Sequence, residues 1–199
     1  MLKVAISIGH FKVKDVIEYL DKGFIVVAYD PRKDVYEKYL DITEHYFTPS
    51  PCAVMANSNT DEITLKIIRD KLVSDDMGSE RDLSSSTYQK EKFEDNRYYV
   101  VDEYSVKAVS IHSVLEKFEE IEELHINCEG EEVPMIMENP VDLFLRCKKI
   151  YVEFHCHCSH LKMTKQMVLE CVKKWEKDFE STCIKGLEYK PFYQFIRKR

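Results

Sequence analysis

Four short apolar runs in this chain each end on residues that can do chemistry. Lys3 to Ile8 ends at Gly9 and His10, and Phe24 to Tyr29 ends at Asp30. Leu124 to Ile126 ends at Asn127, Cys128 and Glu129, and Lys149 to Phe154 ends at His155. Such runs read as buried strands, and in an open α/β sheet ligands bind outside the carboxyl ends of the strands. An acid after the second strand suits a nucleoside, because a carboxylate accepts both ribose hydroxyls at once. Asp30-Pro31 is also a good helix entry, with the acid as cap and proline in the first turn. Asn127 can both donate and accept hydrogen bonds. His155 is the first candidate base and His10 the second, and Glu129 can orient an acceptor or hold a histidine.

Other chemistries fit less well. The dinucleotide fingerprint needs three glycines, and Gly9-His10-Phe11-Lys12-Val13-Lys14 has one, so a pyrophosphate could not approach the backbone. A ligand with ribose and no phosphate is still allowed. The segment His155-Cys156-His157-Cys158-Ser159-His160 holds five potential metal ligands. On a strand His155 and His157 point one way and Cys156 and Cys158 the other. Structural zinc needs four convergent ligands, and no C-x-x-C is present here. Glu129 with Asp30 is a thin set for Mg²⁺. No metal is expected, although a small zinc-binding protein stands as an alternative. No G-x-S-x-G nucleophile turn occurs, which argues against a hydrolase.

The elements that position these residues follow from periodicity. Val13, Val16, Ile17 and Leu20 have helical spacing and stop at Gly23, and Val35, Tyr36, Tyr39 and Leu40 repeat it after the second strand. Strand, helix, strand, helix predicts parallel βαβ units. Thr48-Pro49-Ser50-Pro51 reads as a break, and 52–55 with 62–68 as a hairpin. Tyr98–Val101 and Val106–Ile111 are strand candidates, followed by a short helix through Val114, Leu115 and Phe118. After Gly130 a helix carries Val133, Ile136 and Met137 inward. Asn139 can cap the next helix, with Pro140 at its first position. Met163, Met167, Val168, Cys171, Val172, Trp175 and Phe179 form one helical stripe of core packing. A last strand, 192–198, is expected to run antiparallel. The polar stretch at about 73–96 is either a surface loop or a lid.

The bulk numbers set bounds. A chain of 199 residues reads as a single domain with that insertion. Acidic residues number 36 against 29 basic, a net charge of −7, which argues against a nucleic-acid partner. Met1 to Ile6 is too short for a signal core, and no apolar run approaches the ~20 residues that span a bilayer, so no membrane is expected. Seven cysteines without framework spacing read as reduced thiols, hence a cytoplasmic setting. Oligomeric state is left open.

Three segments carry a resemblance, and two in the first half are consistent with it. Leu124-His125-Ile126-Asn127-Cys128-Glu129-Gly130-Glu131-Glu132 resembles the central "iKiDvEGaE" motif of the FkbM-type family of S-adenosylmethionine-dependent O-methyltransferases. Val106 to Leu115 is similar to that family's strand-helix lead-in, and Lys149 to His155 to its "i-i-E-f-H" strand. Ile6-Ser7-Ile8-Gly9 sits where the family has "vDvGAN-G", and Val27-Ala28-Tyr29-Asp30-Pro31 resembles "vyafEP". Ser7 replaces the family's acid in the first loop, and His125 and Asn127 replace the lysine and aspartate of the central motif.

The resemblance implies a Rossmann-like class I methyltransferase fold. This is an α/β fold with a mostly parallel sheet, helices on both faces and a short antiparallel ending. It implies methyl transfer from S-adenosylmethionine to a hydroxyl of a sugar, glycan or other small molecule. Asp30 would bind the ribose, Gly9 and His10 would line the amino-acid end of the donor, and Asn127 would flank the methyl group. His155 or Glu129 would handle the acceptor. The altered first loop leaves a non-catalytic binding or scaffold module of the same fold as the rival.

Overall fold

The computed structural model describes residues 2–9, 12–57, 61–70, 83–86, 98–156, 163–185 and 190–199. The first half alternates as expected: β1 (Lys3–Gly9), α1 (Val13–Asp21), β2 (Phe24–Tyr29), α2 (Lys33–Leu40) and β3 (Phe47–Ser50). Gly23 ends α1 with φ +76, a left-handed value that glycine adopts without steric cost. The segment read as a break is the edge strand β3. Pro49 is tolerated there because an edge strand can spare a donor.

Residues 52–110 build a second sheet: β4 (Cys52–Met55), β5 (Glu62–Asp70), β6 (Leu83–Ser86) and β7 (Tyr98–Ser110), in the order β4-β7-β5-β6. The expected hairpin of 52–55 with 62–68 is not formed. β7 lies between β4 and β5, parallel to the first and antiparallel to the second. The two strand candidates at 98–101 and 106–111 are one strand, irregular where Ile67 and Ile68 face Asp102 and Val100. Apart from β6, the stretch at about 73–96 lies outside the described residues.

The chain then returns through α3 (Ile111–Leu115), β8 (Ile121–Asn127), α4 (Glu132–Glu138), α5 (Val141–Phe144), β9 (Cys147–Glu153), α6 (Lys165–Trp175), β10 (Phe179–Lys185) and β11 (Phe192–Arg197). Ser110 and Thr164 cap α3 and α6 by accepting from Ser113 N and Met167 N. Asn139 does not cap α5. Its side-chain amide donates back to Met135 O and across to Ala56 O, at 3.0 and 3.1 Å. Met137 is exposed, and Met135 takes the inward position.

The main sheet has the order β10-β11-β9-β8-β1-β2-β3. β3, β2, β1, β8 and β9 are parallel, and β11 runs antiparallel to both its neighbours. This is the expected Rossmann-like α/β fold with its antiparallel ending. Alternation along the strands sorts two cores. Ile6, Ile8, Leu124, Ile126, Ile150 and Val152 face α3 to α6, where Phe144, Trp175 and Phe195 complete the larger core. Each such side chain contributes about 1.5–3 kcal/mol on burial. Ala5, Val26 and Ala28 face Val16, Val35 and Tyr39 of α1 and α2. Further along that face, β8 and β9 present Glu123, His125 and Tyr151 instead. Tyr19 of α1 donates its hydroxyl to Glu123 and lies 3.0 Å from His125 Nε2.

Candidate functional site

The strand order has a switch point between β1 and β8: from β1 the chain winds outward to β3, then crosses back to β8 and winds the other way. Open α/β sheets bind ligands at such a crevice. Gly9 and Asn127 close it as register partners. Gly9 has φ +87, and a Cβ built on it would stand 1.6 Å from the Asn127 carbonyl oxygen. Only glycine fits this close approach. His10, the other residue expected here, lies outside the described residues.

One strand outward, Asp30 follows β2. It is 2% exposed. Its N–H donates to Ser50 O and its Oδ1 accepts from Arg32 N, both at 3.0 Å. Asp30 thus closes a turn ahead of α2, whose cap is Arg32. Burial pushes the carboxyl up to about 6, against the pull of the Arg32 N–H and guanidinium. That guanidinium is spent on Asp34, with Nε donating to Oδ1 at 3.0 Å and Nη2 pairing with Oδ2. Tyr104 of β7 reaches over the start of α2: its hydroxyl accepts from Lys33 N at 3.3 Å, and its ring lies 4.4 Å from the Lys33 ammonium.

Beyond β8 the chain makes a tight arch. Glu129 is left-handed at φ +51, and Gly130 follows at φ +120. A non-glycine residue is uncommon in this region and must be held there. The holding group is Glu132, which is wholly buried at the first turn of α4. Its Oε1 accepts from Cys128 N and its Oε2 from Gly130 N, both at 2.9 Å. The same Oε1 lies 2.8 Å from His155 Nδ1, and His155 Nε2 lies 3.2 Å from Glu129 Oε1. Burial alone would lower the imidazole, but Glu132 and Glu129 on either side push it up to about 10. Cys128 is pushed up by burial and by the surrounding glutamates, so its thiol stays protonated.

The carboxyl edge of the sheet therefore brings together Gly9 with Asn127, and Glu129 with His155. Asn127 Nδ2 also donates to Glu153 Oε2 at 3.4 Å. Asp30 stands in the same row but in its own closed turn. Glu132 was given no role by the sequence reading. Its sign in the sequence is the closing acid of Glu129-Gly130-Glu131-Glu132, at a position where first-turn acids are common for other reasons.

His157, Cys158 and His160 lie outside the described residues. Among the described residues no group of three His, Cys, Asp or Glu is arranged to hold a metal ion. Nor is any helix among them long and apolar enough to cross a membrane. A cleft of about 820 Å³ opens between α1 and α2, past Lys12, Ile17, Leu20, Arg32, Lys38 and Ile42. Among the described residues, none of the sequence-predicted site residues lines it.

No family model matches the chain, and no curated protein matches it. A solved crystal structure, that of WbdD, is similar over 98% of this chain at 10% identity and a TM-score of 0.46. The chain spans 35% of the length of the WbdD chain it matches.

Proposed function

We propose that the chain is an S-adenosylmethionine-dependent O-methyltransferase acting on a hydroxyl of a sugar, glycan or other small molecule. The observation that carries this reading is the row of groups at the switch point. Asp30, Gly9, Asn127 and the Glu129–His155 pair stand in that order along four adjacent strand ends. Strands about 4.8 Å apart make the row ~14 Å long, the reach of a nucleoside with an amino-acid arm. The resemblance of the β8 segment to the "iKiDvEGaE" motif points the same way.

In this reading Asp30 takes the ribose hydroxyls, and the Gly9 backbone and His10 line the amino-acid arm. Asn127 sits beside the transferable methyl group. The donor supplies an activated methyl group, so the protein's work is to align the acceptor oxygen and accept its proton. Glu129 is the better proton acceptor. A protonated His155 has no lone pair to offer, so its part is to hold the Glu129 carboxylate.

One observation favours the rival, a scaffold of the same fold that does not bind donor. Asp30 is already enclosed and bonded to its own turn. Calorimetric titration with S-adenosylhomocysteine separates the two. The methyltransferase reading predicts micromolar binding that Asp30→Ala loses. Absence of binding to protein shown to be folded favours the scaffold.

A further inference from the structure

We infer that Glu132 is the positioning residue of this site: it fixes the Cys128–Gly130 arch and, through His155, the Glu129 carboxylate at the mouth of the switch point. The inference rests on the reading above only in taking Glu129 as the group that meets the acceptor. Its basis is geometric. One wholly buried carboxylate uses both oxygens at once, on two backbone N–H groups of the arch and on a ring that arrives from beyond β9, 23 residues later. The ring's other nitrogen then faces Glu129.

Without Glu132, the Cys128 and Gly130 N–H groups and His155 Nδ1 all lose their acceptor. The left-handed Glu129 loses the backbone anchors that flank it in the arch. Two carboxylates among the described residues face the His155 ring. Glu132 faces it from α4 and Glu129 from the arch. The thiols of Cys128 and Cys156 are both raised by burial and neutral. Glu131 turns away to the Ala56 N–H at 3.4 Å. The ring's protonation therefore reports on the two glutamates together, and replacing Glu132 isolates its share.

The test is nitrogen-15 NMR of the His155 ring, together with amide exchange at Cys128 and Gly130, in the wild type and in Glu132→Gln. The wild-type ring should carry protons on both nitrogens at pH 8. In the variant the ring should titrate at least ~2 pH units lower, and the two amides should exchange at least ~10-fold faster while core amides keep their rates. S-adenosylhomocysteine affinity should weaken as well. If Glu132→Gln fails to fold, Glu132→Asp keeps the charge on a shorter arm: the ring stays protonated while the arch amides loosen. A wild-type ring that is neutral at pH 8, or one that titrates alike in both proteins, overturns the inference. If the wild type binds no S-adenosylhomocysteine, the methyltransferase reading falls, and the ring and amide readouts still decide the role of Glu132.

Discussion

The ends of β2 and of β8 each bury a carboxylate, and the two are held in opposite ways. Asp30 at the β2 end has one backbone donor at 3.0 Å, and the nearby guanidinium is committed to Asp34. Burial wins, and the carboxyl is pushed up to about 6. Glu132 beyond β8 has two backbone donors and an imidazole within 2.9 Å, and the imidazole is held protonated. Burial is nearly the same at the two sites, and what differs is the number of compensating donors. In the proposed function this separates a donor half, whose carboxylate is easily neutralised, from an acceptor half that is charged and pre-organised.

Gly9 lies between the halves, so replacing it gives the largest effect. Gly9→Ala puts a methyl group into the Asn127 carbonyl on a left-handed backbone and should cost more than about 4 kcal/mol, read by urea denaturation. A cost under about 1 kcal/mol would mean that β1 and β8 can part freely there.

Asp30→Asn tests the donor half. The folded Asp30 value lies above the unfolded one, so the folded state binds the extra proton between about pH 4 and 6. Stability therefore falls as pH rises through that window. The variant should be about 1–2 kcal/mol more stable than the wild type at pH 8, with the difference gone near pH 4. His155 has the same sign in a higher window. Its raised value stabilises fully below its ordinary pKa of 6.5, and that stabilisation is lost as pH climbs through about 10. The smallest effect is expected away from both halves. Tyr19→Phe removes the hydroxyl shared by Glu123 and His125 and should cost about 1 kcal/mol.

Much of this was legible in the sequence. β1 and β2 stand out because strands buried on both faces read as apolar runs, and β8 and β9 because buried apolar residues alternate there with half-buried ones. The stripe was equally plain: Val168, Cys171 and Trp175 are buried on α6, while Met163 is buried just before the helix and Phe179 on β10. β10 was missed because only Phe179 of its seven residues is buried, which leaves no alternation to read. The second sheet was missed because its central strand comes last in sequence, and pairing order is not local information. At the site the individual residues were legible, since strand ends announce themselves. Their partnerships were not. The pairing of Glu132 with His155 depends on a left-handed arch and on the register of β9 against β8. Neither leaves a mark at the positions concerned.

The most direct measurement is the affinity for S-adenosylhomocysteine between pH 5 and 8. If the ribose is taken by an ionised Asp30 that otherwise holds a proton up to about pH 6, binding should be about tenfold weaker at pH 5 than at pH 7 and level above pH 7. An affinity that ignores pH across this range, or no binding by folded protein, would contradict the account.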